Sequence, residues 1–187
     1  WWIGDAAASA LPVAAIAGSA TFGILGQYDT GNSDGISNLT YSPAEGGLLY
    51  FIQQNGNQYL NILSISNPSS ISNNQYDTGS FNVPDDNSFA GSGSVAYFSQ
   101  YSNDTSTSII HIVGSDGTEL GSYDTGSGDD TDAFAVSGNY LYYFEYNSTA
   151  DAYNMLNVLD VSNAASPTLA FSLPGVTSGD IHKFQVA

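Results

Sequence analysis

The chain has 187 residues, which is enough for one domain with a core or for a short array of repeats. Eighteen acidic residues stand against a single basic one, Lys183, so the formal net charge is −17. This balance argues against nucleic-acid binding, which needs Lys and Arg to displace counterions from phosphates, and the absence of cysteine excludes disulfides and thiol chemistry.

The first candidate element in chain order is the uncharged segment 6–26. Pro12 interrupts it, and Ser9, Ser19 and Thr21 make it weakly hydrophobic for a spanning helix. An anionic membrane surface would also repel so acidic a chain. We therefore expect no membrane insertion, and the repeat described next accounts for this segment better.

A four-residue motif, Tyr-Asp-Thr-Gly, divides the chain into units. It ends at Gly31, Gly79 and Gly126, with spacings of 48 and 47 residues, and a degenerate copy, Ser-Leu-Pro-Gly, ends at Gly175. Between these points lie short runs rich in Ile, Val, Leu, Tyr and Phe, bounded by clusters of Gly, Asn, Asp, Ser and Pro, which indicate β-strands. No window carries the periodicity of a long helix.

Each unit holds strand patterns at matching places, followed by a last strand that leads into the motif. The matching segments are 36–41, 88–90 and 133–136 in the first place, 48–52, 95–98 and 140–144 in the second, and 11–16, 60–65, 109–113 and 156–161 in the third. Four strands in about 48 residues is the size of one propeller blade. The sequence therefore predicts an all-β chain, folded as one four-bladed β-propeller domain over residues 1–187.

The two ends of the sequence together complete one of these four blades. Phe184-Gln185-Val186 matches Phe134-Ala135-Val136, the first strand of a unit, and residues 1–5 supply the strand that would come next. The segment 180–187 can pair with the N-terminal strands of its own chain, or with those of a neighbouring subunit in an open polymer. Local sequence leaves both open. The residues predicted to carry this contact are Trp1, Trp2, Ile181, Phe184 and Val186.

The third strands of the units carry a family resemblance. Leu156–Val161 reads Leu-Asn-Val-Leu-Asp-Val and is followed by Ser-Asn, and Leu60–Ile65 reads Leu-Asn-Ile-Leu-Ser-Ile and is followed by Ser-Asn-Pro. With the motif endings, these segments resemble the LVIVD-repeat family of β-propellers. The resemblance implies a β-propeller fold of a kind found mainly in secreted and surface proteins, and it implies no particular activity.

Asp-Thr-Gly is also the motif of aspartic proteases, in which two carboxylates share a proton. Three copies at unit spacing, in a chain too short for two protease lobes, favour a turn in which Asp holds the backbone and Gly takes a positive φ. The two histidines, His111 and His182, have no metal or catalytic motif around them. We therefore expect no enzyme activity, and a hydrolase or lyase on the same scaffold is the least favoured hypothesis.

Acidic residues recur in the loops that follow each motif, most densely at Asp129, Asp130 and Asp132. Carboxylates gathered at one mouth of a ring could bind Ca²⁺, which takes six to eight oxygen ligands. Because no Ca²⁺-loop spacing is present, a set of solvated turns is the alternative interpretation. No cofactor is required in either case.

Three Asn-x-Ser/Thr sequences begin at Asn38, Asn103 and Asn147. These are acceptors for N-glycosylation in secreted proteins. Together with the near absence of Lys and Arg, they favour a glycoprotein located outside the cell or on its surface.

The leading functional hypothesis is an extracellular structural protein whose β-propeller subunits bind one another, through terminal strand exchange into a filament. The alternative is a monomeric extracellular module that binds glycans or a protein ligand, with Ca²⁺ at the acidic loops. The first predicts a homopolymer, and the second predicts a closed monomer whose melting temperature depends on ligand or Ca²⁺.

Overall fold

The described part of the protein is built almost entirely of β-strands. A computed structural model describes residues 27–29, 36–55, 57–79, 88–128, 131–147 and 152–178. The strands are β1 Ile36–Ser42, β2 Leu48–Asn55, β3 Asn57–Ser64, β4 Ser72–Asp77, β5 Phe89–Ser92, β6 Val95–Ser102, β7 Thr107–Gly114, β8 Glu119–Asp124, β9 Thr131–Ser137, β10 Tyr140–Asn147, β11 Ala152–Asp160 and β12 Thr168–Ser178. Within these ranges the one helical element is a short 3-10 turn at Ala44–Gly46.

These strands form three antiparallel sheets of four strands each, in chain order. Sheet I holds β1 to β4, sheet II holds β5 to β8, and sheet III holds β9 to β12. Each sheet corresponds to one predicted repeat unit, and each strand pairs with the next along the chain. The prediction of an all-β fold is confirmed.

Tight turns set the register of the first hairpin in sheets II and III. Ser92 pairs with Val95, and Ser137 pairs with Tyr140, so that two residues form each turn. The first turn residue is a glycine in both, with φ of 60° at Gly93 and 58° at Gly138. Two-residue turns with a positive φ match the twist of the flanking strands, which explains why glycine stands at this place in both units.

The first strands of sheets I and III share a bulge. Asn38 in β1 has φ 59° and Ala133 in β9 has φ 55°, and the pairing with the next strand shifts beside each of them. Non-glycine residues with a positive φ are uncommon. The same irregularity at matching places shows that the repeat extends to the backbone conformation, although the two side chains differ.

Sheets I and II pack against each other through a continuous apolar cluster. The buried members are Leu48, Tyr50, Ile52, Leu60, Ile62, Phe89, Ala96, Phe98 and Val113. They come from alternate positions of their strands, as expected when one face of each sheet meets its neighbour.

A second cluster joins sheet II to sheet III, so sheet II is covered on both faces. Its buried members are Ala90, Tyr97, Ile110, Ile112, Phe134, Leu141, Tyr143, Leu159 and Val161. Tyr97 points toward sheet III, whereas its neighbour Phe98 points toward sheet I. Burial of both faces explains why β6 is apolar along most of its length and shows no polar alternation.

No helix in the described ranges is long and apolar enough to cross a bilayer. The uncharged segment 6–26 lies outside these ranges.

Candidate functional site

The Asp-Thr-Gly motifs form turns at the ends of β4 and β8. In the first, Asp77 Oδ1 accepts the backbone N–H of Gly79 at 2.8 Å, and in the second, Asp124 Oδ1 accepts that of Gly126 at 2.9 Å. Both glycines have a positive φ, 78° and 72°. Each carboxylate therefore holds its own turn, which is the role that the sequence favoured.

The threonine of each motif ties the last strand of a sheet to the third strand. The Thr78 hydroxyl donates to the carbonyl oxygen of Gln58 at 2.7 Å, and the Thr78 N–H donates to the same oxygen at 3.1 Å. Thr125 repeats both bonds with Ser108, at 2.9 and 3.0 Å. The motif thus fixes where the fourth strand ends.

We expect Thr78→Val to lower the free energy of unfolding by about 1 kcal/mol, because the substitution keeps the shape of the buried side chain and removes one hydrogen bond. Chemical denaturation followed by circular dichroism measures the change. Thr78→Ser keeps the hydroxyl and is the matched control. A Val variant as stable as the wild type would show that this bond contributes nothing.

The motif tyrosine of sheet I reaches across to sheet II. The Tyr76 hydroxyl donates to Glu119 Oε2 at 2.9 Å, and the Tyr76 ring lies 6.0 Å from the ring of Phe98. Glu119 Oε1 lies 2.8 Å from His111 Nδ1, and the His111 ring stacks on Phe98 at 5.0 Å. One tyrosine therefore connects a polar pair and an aromatic side chain of the next sheet.

The other two motif tyrosines also lie on a following sheet. Tyr123 packs against the cluster between sheets II and III, and burial, with the charges of Glu145 and Asp124, raises the pKa of its hydroxyl. Tyr28 Oη accepts a hydrogen bond of 2.7 Å from Asn73 Nδ2 on β4 of sheet I. A tyrosine from the preceding unit thus contacts each of the three sheets.

A polar residue on the third strand of each sheet organises these contacts. The matching residues are Asn61, His111 and Asn157. Asn61 is fully buried, and its Oδ1 accepts from Asn73 Nδ2 at 2.9 Å and from Gln75 Nε2 at 2.8 Å. Asn157 is also buried and donates to Glu145 Oε2 at 2.9 Å. Sequence reasoning gave His111 no role, although alignment of the three third strands places it with the two asparagines.

Sheet III ends differently from the other two sheets. At one matching place in each sheet, a residue of the fourth strand pairs with a residue of the third. These pairs are Tyr76 with Leu60 in sheet I, Tyr123 with Ile110 in sheet II, and Leu173 with Leu156 in sheet III. Leucine thus replaces tyrosine, and the predicted alignment of Ser172 with the motif tyrosine is off by one residue. Gly175 keeps a positive φ of 79°, but β12 continues to Ser178. With Leu173 at the position of the tyrosine, Pro174 and Gly175 take the positions of Asp and Thr, and neither offers a side-chain oxygen to end the strand.

Large apolar side chains are exposed on β12. Leu169, Phe171 and Leu173 are 47%, 54% and 43% exposed. Phe171 and Leu173 pair with Val158 and Leu156, on the side of sheet III that faces away from sheet II. We call this side, formed by Tyr142, Leu156, Val158, Phe171 and Leu173, the outer face of sheet III. The apolar residues at 171 and 173, separated by Ser172, were the available sequence signal for this face, whereas Leu169 lies beyond a register shift and pairs with the buried Leu159.

The predicted metal ligands lie only in part within the described residues. Asp132 is buried on β9, where its Oδ1 accepts the N–H of Ala133 at 2.7 Å, whereas Asp129 and Asp130 lie outside the described residues. Across the described ranges no three His, Cys, Asp or Glu side chains come together as a metal site.

The three sequons lie in different surroundings. Asn103 is exposed in the turn between β6 and β7. Asn38 lies in the β1 bulge, and its Oδ1 is buried without a hydrogen-bond partner. Asn147 is the last residue of β10.

The residues predicted to carry the assembly contact fall outside the described ranges, and so does His182. The assembly residues are Trp1, Trp2, Ile181, Phe184 and Val186.

The family model of the LVIVD repeat matches residues 50–78 and 128–174. The chain contains LVIVD repeats. The first LVIVD match runs from β2 through β4 of sheet I, and the second covers sheet III as far as Pro174. The predicted resemblance is therefore confirmed for these two units. No curated protein and no solved structure matches the chain.

Proposed function

We propose that this protein is a four-bladed β-propeller that serves as an extracellular structural or cell-surface protein, and that its subunits assemble with one another through the outer face of sheet III. It performs no catalysis in this proposal. The observation that carries it is the exposure of Phe171 and Leu173, 54% and 43%, at a sheet face whose counterparts in sheets I and II are buried.

The way in which the units join supports a ring of four blades. Sheets I, II and III stack in chain order, and Tyr76 and Tyr123 pass from one sheet to the next. Tyr28 contacts sheet I as Tyr76 contacts sheet II, and this supports a further unit packed beside sheet I, before it in the chain. Radial repetition of four-stranded sheets is how propellers protect their edges.

The outer face of sheet III provides the chemistry for self-association. Exposed apolar residues that are contiguous on a sheet face mark contact surfaces, and an outermost strand offers unpaired backbone groups to another chain. The segment 180–187 and the N-terminal strands would complete a blade beside this face. If those strands come from a neighbour, the contact is heterologous and repeats into a filament.

The surface chemistry favours a location outside the cell. The chain has one basic residue and a net charge of −17, so its solubility comes from acidic and neutral polar groups. Asn103 stands exposed in a hairpin turn, where a glycan can be attached without disturbing the sheets.

The test is assembly of the full chain with Phe171→Asp, followed by light scattering and negative-stain electron microscopy over a concentration series. We expect the wild type to form regular polymers and the variant to remain monomeric, because a carboxylate at residue 171 would have to be desolvated in the contact. Leu120→Asp is the matched control, since Leu120 is 40% exposed on the fourth strand of sheet II.

Polymers of the Phe171→Asp variant would place the contact elsewhere on the surface. A wild type that stays monomeric at every concentration would contradict assembly and favour the monomeric binding module, to be followed by glycan and Ca²⁺ screens.

A further inference from the structure

A second set of exposed apolar side chains lies on the first strand of sheet I. Ile36, Leu39 and Tyr41 of β1 are 49%, 54% and 57% exposed. Ile36 and Tyr41 pair with Gln53 and Leu49, which alternate with the residues of β2 that pack on sheet II. Strand alternation places Leu39 on the same side as Tyr41. The three side chains therefore point away from sheet II, and we call them the β1 strip.

The rest of this side of sheet I is buried. Phe51 of β2 and Asn61 and Leu63 of β3 lie on it, and they are 3%, 0% and 5% exposed. Phe51 pairs with Asn61, and Leu63 pairs with Leu49, the partner of Tyr41. Exposure on this side is therefore confined to the first strand. Among the described residues, what the β1 strip lacks is a neighbour for that strand alone.

The other sheets show what kind of element lies beside a first strand. The first strands of successive sheets contact one another, since β1 contacts β5 and β5 contacts β9. At the first of these contacts, a Cβ atom at Gly91 would lie 3.2 Å from Thr40 Cγ2. Because the units repeat radially in a propeller, the element expected on the free side of β1 is another first strand.

The sequence holds one further first-strand pattern, in the segment 180–187, which lies outside the described residues. Phe184 and Val186 of this segment match Phe134 and Val136 of β9. Both of the β9 side chains pack in the apolar cluster between sheets II and III. The segment therefore carries the side chains with which a first strand packs against the preceding sheet.

We propose that the β1 strip of one copy binds the segment 180–187 of a second copy. This inference rests on the proposed assembly and names the partner of sheet I within it. In a single chain the β1 strip is half exposed, and so are Phe171 and Leu173 on the outer face of sheet III. A strand placed between the outer face of one copy and the β1 strip of the next buries both apolar surfaces.

The distribution of charge favours this segment as the partner. Each copy carries a formal net charge of −17, so like charges oppose most contacts between copies. Lys183 is the only basic residue of the chain, and residues 181–187 contain no acidic side chain. The segment thus brings the single positive side chain to an acidic partner, and the β1 strip itself carries no charge.

The contact is heterologous, because each copy offers the segment on one side and the β1 strip on the other. Leu39→Asp should therefore stop polymer growth, since the carboxylate would have to be desolvated in the contact. Light scattering and electron microscopy should show a monomer for this variant alone. Mixed with Phe171→Asp, whose β1 strip is intact, it should form dimers of about twice the monomer mass and nothing longer. Leu120→Asp is the control, and we expect it to polymerise as the wild type does.

Photo-crosslinking identifies what covers the β1 strip. The chain has no cysteine, so Leu39→Cys can carry a single benzophenone label. A small fraction of the labelled protein is assembled with isotope-labelled wild type, irradiated and cleaved at aspartate, which releases residues 181–187 as one peptide. We expect the crosslink on the isotope-labelled form of this peptide, which can come only from a second copy.

A crosslink to residues 181–187 of the same chain would overturn the inference, and so would a crosslink to another segment or none at all in the polymer. Crosslinking gives the decision even if Leu39→Asp does not fold. The two proposals fail in different ways. A wild type that stays monomeric contradicts the assembly itself, whereas polymers that Phe171→Asp abolishes and Leu39→Asp leaves unchanged contradict only the role of the β1 strip.

Discussion

Gly121→Ala should separate sheets II and III or prevent the chain from folding. A Cβ atom at residue 121 would overlap the carbonyl oxygen of Ala164 and would lie 3.0 Å from the Ala164 carbonyl carbon and from Ala165 Cα. These are backbone atoms of the neighbouring sheet's loop, so no side-chain rotation can relieve the overlap. We expect a loss of about 3 kcal/mol or more in the free energy of unfolding, the upper range for overpacking.

Gly126→Ala is the control, because it adds the same methyl group in the turn that follows β8. Gly126 has a φ of 72° and no atom within 4 Å of the added Cβ, so the cost is the backbone strain alone. That strain is about 1 to 2 kcal/mol. Denaturant unfolding of both variants measures the difference. If Gly121→Ala were no less stable than Gly126→Ala, the close approach of Ala164 to β8 would be wrong.

The internal organisation of each sheet could be predicted from the sequence because it depends on local signals. Strand patterns of three to six residues, broken by turn-forming clusters, indicate the strands. Glycine at the first turn residue of Ser-Gly-Ser at 92–94 and of Ser-Gly-Asn at 137–139 suits a two-residue hairpin turn, and both glycines have a positive φ. The Asp-Thr-Gly turn followed from the hydrogen-bonding capacity of its three residues, and the bonds at Asp77 and Thr78 match that expectation.

The contacts between sheets could not be predicted in the same way, since they join residues that lie far apart in the chain. Tyr76 meets Glu119 across 43 residues, and nothing in either local segment indicates the partner. The bulges at Asn38 and Ala133 were equally hidden, because neither residue type marks a positive φ strongly enough to be noticed. Aligning the units with one another identifies residues that take part in these contacts. The matching residues Asn61, His111 and Asn157 of the three third strands are an example.

At the end of sheet III, residues that differ from the repeat motif accompany a different end to the fourth strand. Where the motif is complete, a tyrosine is placed on the next sheet and the strand stops. Where Leu173 and Pro174 replace two of its residues, the strand continues to Ser178 and presents apolar side chains. The predicted contact through Phe184 and Val186 stays a prediction, and the outer face of sheet III adds a surface that can be tested independently of it.

Alkaline solution should unfold this protein steeply, because several of its tyrosines are buried in the contacts between sheets. Tyr50, Tyr97 and Tyr143 are 0%, 6% and 1% exposed. Burial raises the pKa of each hydroxyl, and nearby acidic side chains add to the effect at Tyr50 and Tyr143. The Tyr50 hydroxyl also donates to the Gly93 carbonyl oxygen at 3.1 Å, a bond that tyrosinate cannot make.

The sign follows from proton binding in the two states. Above about pH 10 an unfolded chain releases these protons while the folded chain retains them, so stability is complete below that pH and falls as the pH rises. Each buried hydroxyl contributes up to about 1.4 kcal/mol per pH unit. We expect the denaturant midpoint to drop between about pH 9 and about pH 11, with tyrosinate absorbance and loss of the β circular dichroism signal appearing together.

Tyr143→Phe removes one of the titrating groups from the core and should make the alkaline transition shallower, whereas Tyr41→Phe, at a residue that is 57% exposed, should leave it unchanged. Ionisation of the buried tyrosines at an ordinary pH with the fold intact would contradict the argument, because it would mean that water reaches the contacts between the sheets. If the buried tyrosines ionise only at the pH at which the chain unfolds, the contacts between the sheets exclude water until the sheets separate.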